Sequence, residues 1–234
     1  MINMKWKVLL FALLFPTLVS AQSFPSTSVL DNFNRANEDP ITGIWTNGLS
    51  GTGQCEVLSN QIHGSSGTDT CYTTATYDED QEVFITWPNL STLNQDANVF
   101  IYLCIQPTDI GSVNWDGYGV RVRRVTAGND LIRLVRITND SVTNLGTGWS
   151  AGEFGDGWKT GVRRETGGTF TLYIDQGSGW AQEDQITGET FYSCDTTHLG
   201  YEGTQVSSEG DDFGGGDVVS ASPDNPVMMI LEAK

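Results

Sequence analysis

The sequence has few of the features that indicate a helical, nucleic-acid-binding or zinc-dependent protein. Hydrophobic residues almost never recur with helical spacing, which argues against an α-helical fold. Only 12 lysine and arginine residues accompany 29 aspartate and glutamate residues, so the formal charge is −17. Such a surface repels nucleic acids and anionic lipids, and it favours solubility and divalent cations. The two histidines, His63 and His198, are far apart and have no ligand-spaced partners, so we expect no zinc site.

The N-terminus has the features of a secretory signal peptide over residues 1–21. Two lysines precede an apolar run from Val8 to Leu14, and Val19-Ser20-Ala21 forms a small-residue cleavage site. The apolar run is too short to span a bilayer comfortably, so a retained anchor is the weaker interpretation. We therefore expect a secreted, extracellular or periplasmic protein with one domain over 22–219. Residues 220–234 would be a tail or one extra edge strand.

All four cysteines lie in the part of the chain predicted to be exported. An even number of cysteines in an oxidising compartment favours two structural disulfides, and the absence of a Cys-x-x-Cys motif gives no support to a redox role. Three pairings are possible. We prefer Cys55–Cys71, because the segments that follow these two residues look like neighbouring strands across a Gly-Ser turn. Cys104–Cys194 then follows by elimination.

Most of the remaining chain consists of short runs rich in valine, isoleucine, threonine and aromatic residues. Glycine, asparagine, aspartate and serine break these runs at intervals typical of antiparallel hairpins. The pattern predicts an all-β sandwich or barrel. The clearest predicted strands are Val83 to Trp87, Val99 to Ile105, Tyr118 to Val125, Leu131 to Thr138, Trp158 to Arg164 and Thr169 to Asp175.

Alternation along two of these strands separates a core face from an outer face. The predicted core set is Val99, Ile101, Leu103, Ile105, Tyr118, Val120, Val122 and Arg124. The predicted outer set is Phe100, Tyr102, Cys104, Gly119, Arg121 and Arg123. Because the outer set is partly aromatic and polar, that face is expected to contact solvent or a ligand.

Two similar segments open and close the predicted domain. Leu30 to Ala36 reads Leu-Asp-Asn-Phe-Asn-Arg-Ala, and Gly210 to Gly216 reads Gly-Asp-Asp-Phe-Gly-Gly-Gly. Each looks like a short strand followed by a turn. Matching strands at the two ends favour a sandwich in which the first and last strands lie side by side, with Phe33 and Phe213 in the same region.

The order of motifs along residues 30–216 resembles the concanavalin A-like lectin/glucanase superfamily, specifically its laminin-G-like jelly-roll modules. The motifs are Asp31-Asn32-Phe33-Asn34-Arg35, Trp45, Asp80-Gln81-Glu82-Val83, Gly155-Asp156-Gly157-Trp158-Lys159, Thr169 to Asp175, Asp195-Thr196-Thr197, Gly200-Tyr201-Glu202-Gly203 and Asp211-Asp212-Phe213-Gly214-Gly215. The resemblance implies a two-sheet antiparallel jelly roll whose concave sheet faces glycans. It also implies a structural Ca²⁺ ion near the chain ends.

Hydrolases of this superfamily place carboxylates at alternate positions of one strand, where they flank a glycosidic bond. Asp78, Asp80 and Glu82 have this alternation and are the candidate catalytic residues. The first position is aspartate where the hydrolases have glutamate, and the run lies at a strand entrance directly after a turn. A solvated strand start is therefore the preferred interpretation.

Calcium requires several carboxylate and carbonyl oxygens, and adjacent terminal strands would bring together Asp31, Asp211 and Asp212. No organic cofactor is expected. Glycan binding would use exposed aromatic side chains flanked by polar groups. The candidate ligand-binding residues are Tyr102, Trp115, Tyr118, Arg121, Arg123 and Glu82. Glu82 could instead form a cross-strand ion pair with Arg121 or Arg123, and Trp45 and Trp158 are assigned to the core.

The sequence thus predicts a secreted, non-catalytic carbohydrate-binding or adhesion module whose partner is a polysaccharide or another glycan. Two other classes remain open. The first is a glycoside hydrolase or polysaccharide lyase of the same fold. The second is an extracellular structural or protein-interaction domain without a small ligand.

Overall fold

The computed structural model describes residues 23–48, 53–64, 68–106, 115–125, 129–150, 152–204 and 208–218. The predicted signal peptide and the predicted tail lie outside the described residues. No helix among the described residues is long and apolar enough to cross a membrane.

Apart from one 3-10 turn at Leu90–Thr92, the regular structure of the described residues is entirely β. The strands are β1 (Val29–Asp31), β2 (Trp45–Asn47), β3 (Cys55–Leu58), β4 (Gln61–Gly64), β5 (Asp69–Thr73), β6 (Gln81–Trp87), β7 (Asn98–Ile105), β8 (Gly117–Arg123), β9 (Leu131–Thr138), β10 (Ser141–Trp149), β11 (Trp158–Glu165), β12 (Thr169–Asp175), β13 (Trp180–Ile186), β14 (His198–Gly203) and β15 (Glu209–Asp217).

The strands form two antiparallel sheets that pack against each other as a sandwich. The eight-stranded sheet has the order β13-β12-β11-β6-β15-β4-β3, and β1 also pairs with β15. The seven-stranded sheet has the order β10-β9-β8-β7-β14-β5-β2. The six strands predicted from the sequence are all present, with ends within two residues of the prediction. The all-β sandwich is confirmed.

The first and last strands lie side by side, as the matching segments predict. Val29 pairs with Gly214, and Asp31 pairs with Phe213. Phe33 and Phe213 are both completely buried. Both pack on Trp45, with ring centroids 6.0 Å and 4.8 Å from the indole. Trp45 is buried as well, so this aromatic contact joins the two ends of the domain within the core.

Alternation holds along most of β7 but fails at its end. Val99, Ile101 and Leu103 belong to the core between the sheets, as predicted. Cys104 has a positive φ of 57°, and the register with β14 shifts at this point. Because an extra residue in one strand turns the following side chains to the opposite face, Cys104 enters the core and Ile105 moves to the outer face. The predicted faces of these two residues are therefore wrong.

The alternation predicted for β8 is confirmed within the strand. Tyr118, Val120 and Val122 belong to the core between the sheets, and Arg121 lies between them in sequence on the opposite face. The prediction for Arg124 is wrong, because β8 ends at Arg123 and Arg124 lies beyond it. Its guanidinium donates instead to a backbone carbonyl of the segment before β7.

Both disulfides are confirmed, although the reasoning for the first pairing is wrong. Cys55 bonds to Cys71, and Cys104 bonds to Cys194. Cys55 lies on β3 of the eight-stranded sheet, whereas Cys71 lies on β5 of the seven-stranded sheet, so their bond links the two layers. The strand next to β3 is β4, which follows a tight turn at Ser59-Asn60 with φ of 55° and 65°. The partner of β3 is therefore the segment directly after it.

Candidate functional site

The candidate site is the outer face of the seven-stranded sheet, the face turned away from the eight-stranded sheet. Directly paired residues of neighbouring strands share a face. Arg133 of β9 pairs with Arg121 of β8, and Arg121 pairs with Phe100 of β7. Phe100 in turn pairs with Glu202 of β14. These four side chains form one row across the sheet, and Arg123 follows Arg121 two residues further along β8.

Three arginines, Arg121, Arg123 and Arg133, form what we call the arginine cluster. Each is partly exposed, while the Nε atom of each is buried and has no hydrogen-bond partner among the described residues. Arg121 Nη2 donates to Asn144 Oδ1 at 2.8 Å, and Arg123 Nη2 donates to Asp96 Oδ1 at 3.2 Å. Within the described part of the chain, no carboxylate forms an ion pair with Arg121 or Arg133. Burial, together with the charges of the other two arginines, lowers the pKa of Arg121.

A buried aromatic layer lies beside the arginine cluster on the same face. The rings of Phe100 and Tyr102 stack with centroids 5.4 Å apart, and Trp115 meets Tyr102 edge-on at 4.5 Å. Tyr72 belongs to the same cluster. Tyr102 and Trp115 are each only 1% exposed, so the prediction that they are exposed stacking platforms is wrong. They form a buried aromatic layer beside the polar groups of this face.

Glu202 has an unusual environment for a carboxyl group. It is buried beside the aromatic layer and accepts a hydrogen bond from the Tyr102 hydroxyl at 2.8 Å. Burial, with a smaller contribution from the negative charge of Asp140, raises the pKa of Glu202 to about 7 against the opposing effect of the Tyr102 hydrogen bond. Burial also raises the pKa of Tyr102 well above its usual value. At neutral pH the Glu202 carboxyl is therefore part protonated.

Tyr118, another predicted ligand-binding residue, lies inside the sandwich. Its ring packs against Phe170 of the eight-stranded sheet with centroids 4.5 Å apart. Its hydroxyl donates to Glu189 Oε1 at 3.0 Å and accepts from the backbone N–H of Tyr192 at 3.0 Å. Burial raises the pKa of Tyr118. This residue joins the two sheets and does not reach the outer face.

Glu82 lies on the other sheet and does not meet the arginine cluster. It is completely buried on the outer face of the eight-stranded sheet. Its Oε2 accepts from Arg163 Nε at 2.9 Å and from Arg163 Nη2 at 2.6 Å. Its Oε1 accepts from the backbone N–H groups of Ser26 and Thr27 at 2.6 Å and 2.7 Å. The predicted ion pair with Arg121 or Arg123 is wrong, because Arg163 is the partner.

The three candidate catalytic carboxylates do not have the alternation that the sequence predicts. Strand β6 begins at Gln81, so Asp78 and Asp80 precede it and do not share a strand with Glu82. Asp80 Oδ1 accepts from Thr166 Oγ1 at 2.6 Å. The fully buried Glu82 carboxylate cannot reach a substrate. This geometry gives no support to catalysis by these residues.

One nucleophile pattern also occurs in the chain. Gly148-Trp149-Ser150-Ala151-Gly152 matches Gly-x-Ser-x-Gly, which in hydrolases marks a sharp turn from a strand into a helix. Here Ser150 follows β10, and the described residues 152–157 contain no helix. The imidazoles lie against carbonyl oxygens, His63 Nε2 3.1 Å from Leu58 O and His198 Nδ1 2.8 Å from Thr73 O. The pattern is therefore not a nucleophile elbow.

The predicted calcium ligands are adjacent, but Asp31 already accepts three hydrogen bonds. Asp31 Oδ1 accepts from the Phe33 N–H at 2.8 Å and from Arg35 Nη1 at 2.7 Å, and Oδ2 accepts from Trp45 Nε1 at 2.8 Å. Burial raises the pKa of Asp211, and the charges of Asp212 and Asp31 add to this shift. No group of three or more acids, histidines or cysteines in the described residues is arranged to hold a metal ion. These three aspartates do not fit a calcium site as they stand.

Sequence reasoning identified two members of the arginine cluster and missed the third. Arg133 alternates with Ile132 and Leu134 in β9, so its outward direction could be read from the sequence. Its cross-strand neighbour Arg121 could not be predicted from the sequence, because that pairing depends on the register between β8 and β9. Glu202 was noted only as part of a motif, since nothing in its local sequence shows that it is buried beside Tyr102.

No protein-family model matches this chain, and no curated protein matches it. Solved structures do match. One is the VIP36 exoplasmic/lumenal domain in a form bound to Ca²⁺ and Man3GlcNAc, with 15% sequence identity and a TM-score of 0.53. The match covers 77% of this chain and 87% of the VIP36 chain. This chain has a legume-lectin-like jelly-roll fold. The potassium-bound carbohydrate recognition domain of Emp46p is 10% identical with a TM-score of 0.55, over 82% of this chain and 97% of that one. A legume lectin-like domain from Entamoeba histolytica is 11% identical with a TM-score of 0.53, and the match covers 78% of this chain and 96% of that domain.

Proposed function

We propose that this protein is a secreted carbohydrate-binding or adhesion module that binds glycans on the outer face of its seven-stranded sheet. The observation that carries the proposal is the arginine cluster, which presents partly exposed, incompletely hydrogen-bonded side chains beside a buried aromatic layer. The legume-lectin-like fold supports it, since VIP36 is described with bound mannose oligosaccharides and Emp46p as a carbohydrate recognition domain. The two disulfides are typical of proteins outside the reducing cytosol.

The chemistry of the face suits sugars, which offer many hydroxyl groups as hydrogen-bond acceptors and donors. Arg121 and Arg123 provide guanidinium donors, and Asn144 provides an exposed amide. Arg121 pairs across strands with Phe100 of the buried layer, and hydrogen bonds to Asn144 and Asp96 hold Arg121 and Arg123 in place. A preorganised set of donors loses less conformational entropy on binding. In this proposal Arg121 and Arg123 contact the glycan, while Tyr102 and Trp115 support them.

Calcium has no part in this proposal through Asp31, Asp211 and Asp212. VIP36 is described in calcium-bound and metal-free forms, and Emp46p in a potassium-bound form. A calcium ion bound by Asp31 would compete with its hydrogen bonds to Arg35 and Trp45. We therefore place glycan binding on the seven-stranded sheet, away from these residues.

Affinity gel electrophoresis tests the proposal. The protein is run through gels containing one polysaccharide each, covering neutral, carboxylated and sulfated types, and we expect at least one of them to retard it. Arg121→Ala should lose most of the retardation. Lys159→Ala, which removes a charge on the eight-stranded sheet, should behave like the unmodified protein. Retardation in no gel would favour a structural or protein-interaction domain. Release of reducing sugar would instead show an enzyme.

A further inference from the structure

We propose that the glycan is acidic, and that its carboxylate or sulfate groups bind between Arg121 and Arg133. This inference rests on the proposed glycan-binding function and names the chemical class of the ligand. It assigns Arg133 as a specificity residue together with Arg121.

The distribution of charge is the first argument. Acidic residues outnumber basic ones by more than two to one in this chain. Other arginines are paired with carboxylates: Arg35 with Asp31, Arg163 with Glu82, and Arg164 with Glu79. In the arginine cluster the arrangement is reversed, since three cations are adjacent and, within the described part of the chain, only Arg123 forms an ion pair with a carboxylate, that of Asp96. An anion from outside would supply the missing partner.

The second argument is the geometry of the pair. Arg121 and Arg133 lie directly opposite each other on antiparallel strands. Cβ atoms in such pairs are about 4.5–5.5 Å apart, and like charges in this position are destabilising. The lowered pKa of Arg121 reflects this repulsion as well as burial. An anion held between the two guanidinium groups would convert the repulsion into two charge-assisted attractions.

The third argument is the hydrogen-bonding capacity that remains. Arg121 uses Nη2 for Asn144 Oδ1, and the Nε atoms of Arg121 and Arg133 have no acceptor among the described residues. Guanidinium groups bind carboxylate and sulfate-like oxyanions through two parallel N–H donors, which a neutral hydroxyl cannot accept in the same way. Because these Nε atoms are buried, an oxyanion would bind the remaining Nη donors of the two partly exposed side chains, which suit it better than an uncharged sugar.

The acidic groups around this face do not neutralise the cluster. Glu202 lies in the same row, but Phe100 separates it from Arg121, and its raised pKa leaves it part protonated near neutral pH. Asp96 is engaged with Arg123 at the edge of the face. Asp140 has a raised pKa owing to burial and interacts with Glu202 and Tyr102, away from the arginine row. The positive charge between Arg121 and Arg133 thus remains available.

Matched polysaccharides that differ only in charge test this inference by isothermal titration calorimetry. Polygalacturonate is compared with its methyl-esterified form, and dextran sulfate with dextran, so that carboxylate and sulfate are examined separately. We expect at least one acidic polymer to bind at least about tenfold more tightly than its neutral counterpart, as charged hydrogen bonds require. Binding should weaken as NaCl is added, because salt screens partly exposed charges.

Variants then locate the anion. Arg121→Gln and Arg133→Gln should each weaken binding of the acidic polymer about tenfold or more. Arg121→Lys, which keeps the charge and loses the fork of donors, should give a smaller loss and covers the case in which the glutamine variant does not fold. Lys159→Gln removes the same charge from the other sheet and should bind like the unmodified protein. Circular dichroism and thermal melting confirm folding.

The outcomes separate the two proposals. Binding of dextran or esterified polymer as tightly as the acidic form would overturn the acidic ligand and leave glycan binding standing. Full affinity of both arginine variants for the acidic polymer would move the anion elsewhere and also overturn this inference. Binding of none of these polymers, nor of any neutral glycan in the gels, would overturn both proposals.

Discussion

Glu82 and Arg163, on the outer face of the eight-stranded sheet, bind each other, whereas Arg121 and Arg133, on the outer face of the seven-stranded sheet, have no carboxylate partner among the described residues. Residues 23–28 cover the first pair, with hydrogen bonds from Ser26 and Thr27 to Glu82 and from Arg163 to the Ser23 carbonyl. Phe24 stacks on Tyr173 with ring centroids 4.0 Å apart. The chain itself thus fills and neutralises one outer face.

The two outer faces differ in whether their arginines are paired with carboxylates, and this difference distinguishes a structural role from the proposed binding role. A buried charge is costly unless it is paired and hydrogen-bonded, and the Glu82 carboxylate satisfies both conditions. The arginines of the other face are only partly buried, so water can solvate them until a ligand arrives. Burial of a charge with its partner indicates a structural role here, whereas partial exposure without a carboxylate partner among the described residues is what the proposed binding site requires.

The largest effect is expected from breaking the buried pair. Glu82→Gln leaves the Arg163 guanidinium buried without its negative partner, so we expect the free energy of unfolding to fall by about 3 kcal/mol or more. Urea denaturation followed by tryptophan fluorescence measures this change. Asp96→Asn is the matched control, since Asp96 and its partner Arg123 are 57% and 37% exposed, and it should cost less than about 1 kcal/mol. Equal effects of the two variants would contradict the structural role of Glu82.

The features of the two sheets that can be predicted from the sequence are those that depend on local interactions. Alternation assigns the core faces of β7 and β8 correctly, because a two-residue period needs only neighbouring residues. The same reasoning fails at Cys104, where a bulge turns the chain and its cause lies in the register with β14. The Cys55–Cys71 bond was predicted correctly from an incorrect arrangement, since no local pattern shows that β3 and β5 belong to different sheets.

The candidate site shows the same limit. The sequence places Arg121 and Arg123 on an outer face, but the burial of Tyr102 and Trp115 depends on packing that no spacing rule reveals. Glu82 was assigned to the site because alternation along a strand does not tell which sheet contains that strand. Nothing near Glu82 in sequence indicates that Arg163 and residues 26 and 27 enclose it.

The second prediction uses the titration of Glu202, the buried acid on the outer face of the seven-stranded sheet. Its pKa is about 7 in the folded protein and 4.5 for the ordinary side chain, so the unfolded chain releases its proton first as pH rises. The folded state therefore loses stability between pH 4.5 and 7, by about 3 kcal/mol in total, and the loss is complete above pH 7.

Glu202→Gln removes this titration and keeps an acceptor for the Tyr102 hydroxyl. We expect the variant to melt several degrees higher than the unmodified protein at pH 8, and the difference to shrink toward pH 4.5. Scanning calorimetry across this range measures it. Glu209→Gln, on β15 of the other sheet, controls for the general effect of removing one negative charge. A pH-independent difference would show that Glu202 is not a buried, titrating acid.

The smallest effect concerns the predicted calcium ligand. Asp31→Asn keeps one oxygen acceptor, replaces the other with an amide group that cannot accept, and loses the negative charge beside Arg35, so we expect a loss of about 2 kcal/mol in stability. Because Asp31 already accepts three hydrogen bonds, EDTA should leave the melting temperature of the unmodified protein unchanged. Asp156→Asn, which changes an exposed aspartate contact at Ser91, serves as the charge-matched control. A drop in melting temperature with EDTA that Asp31→Asn abolishes would mean that Asp31 exchanges Arg35 and Trp45 for a metal ion, and that this end of the sandwich also binds a ligand.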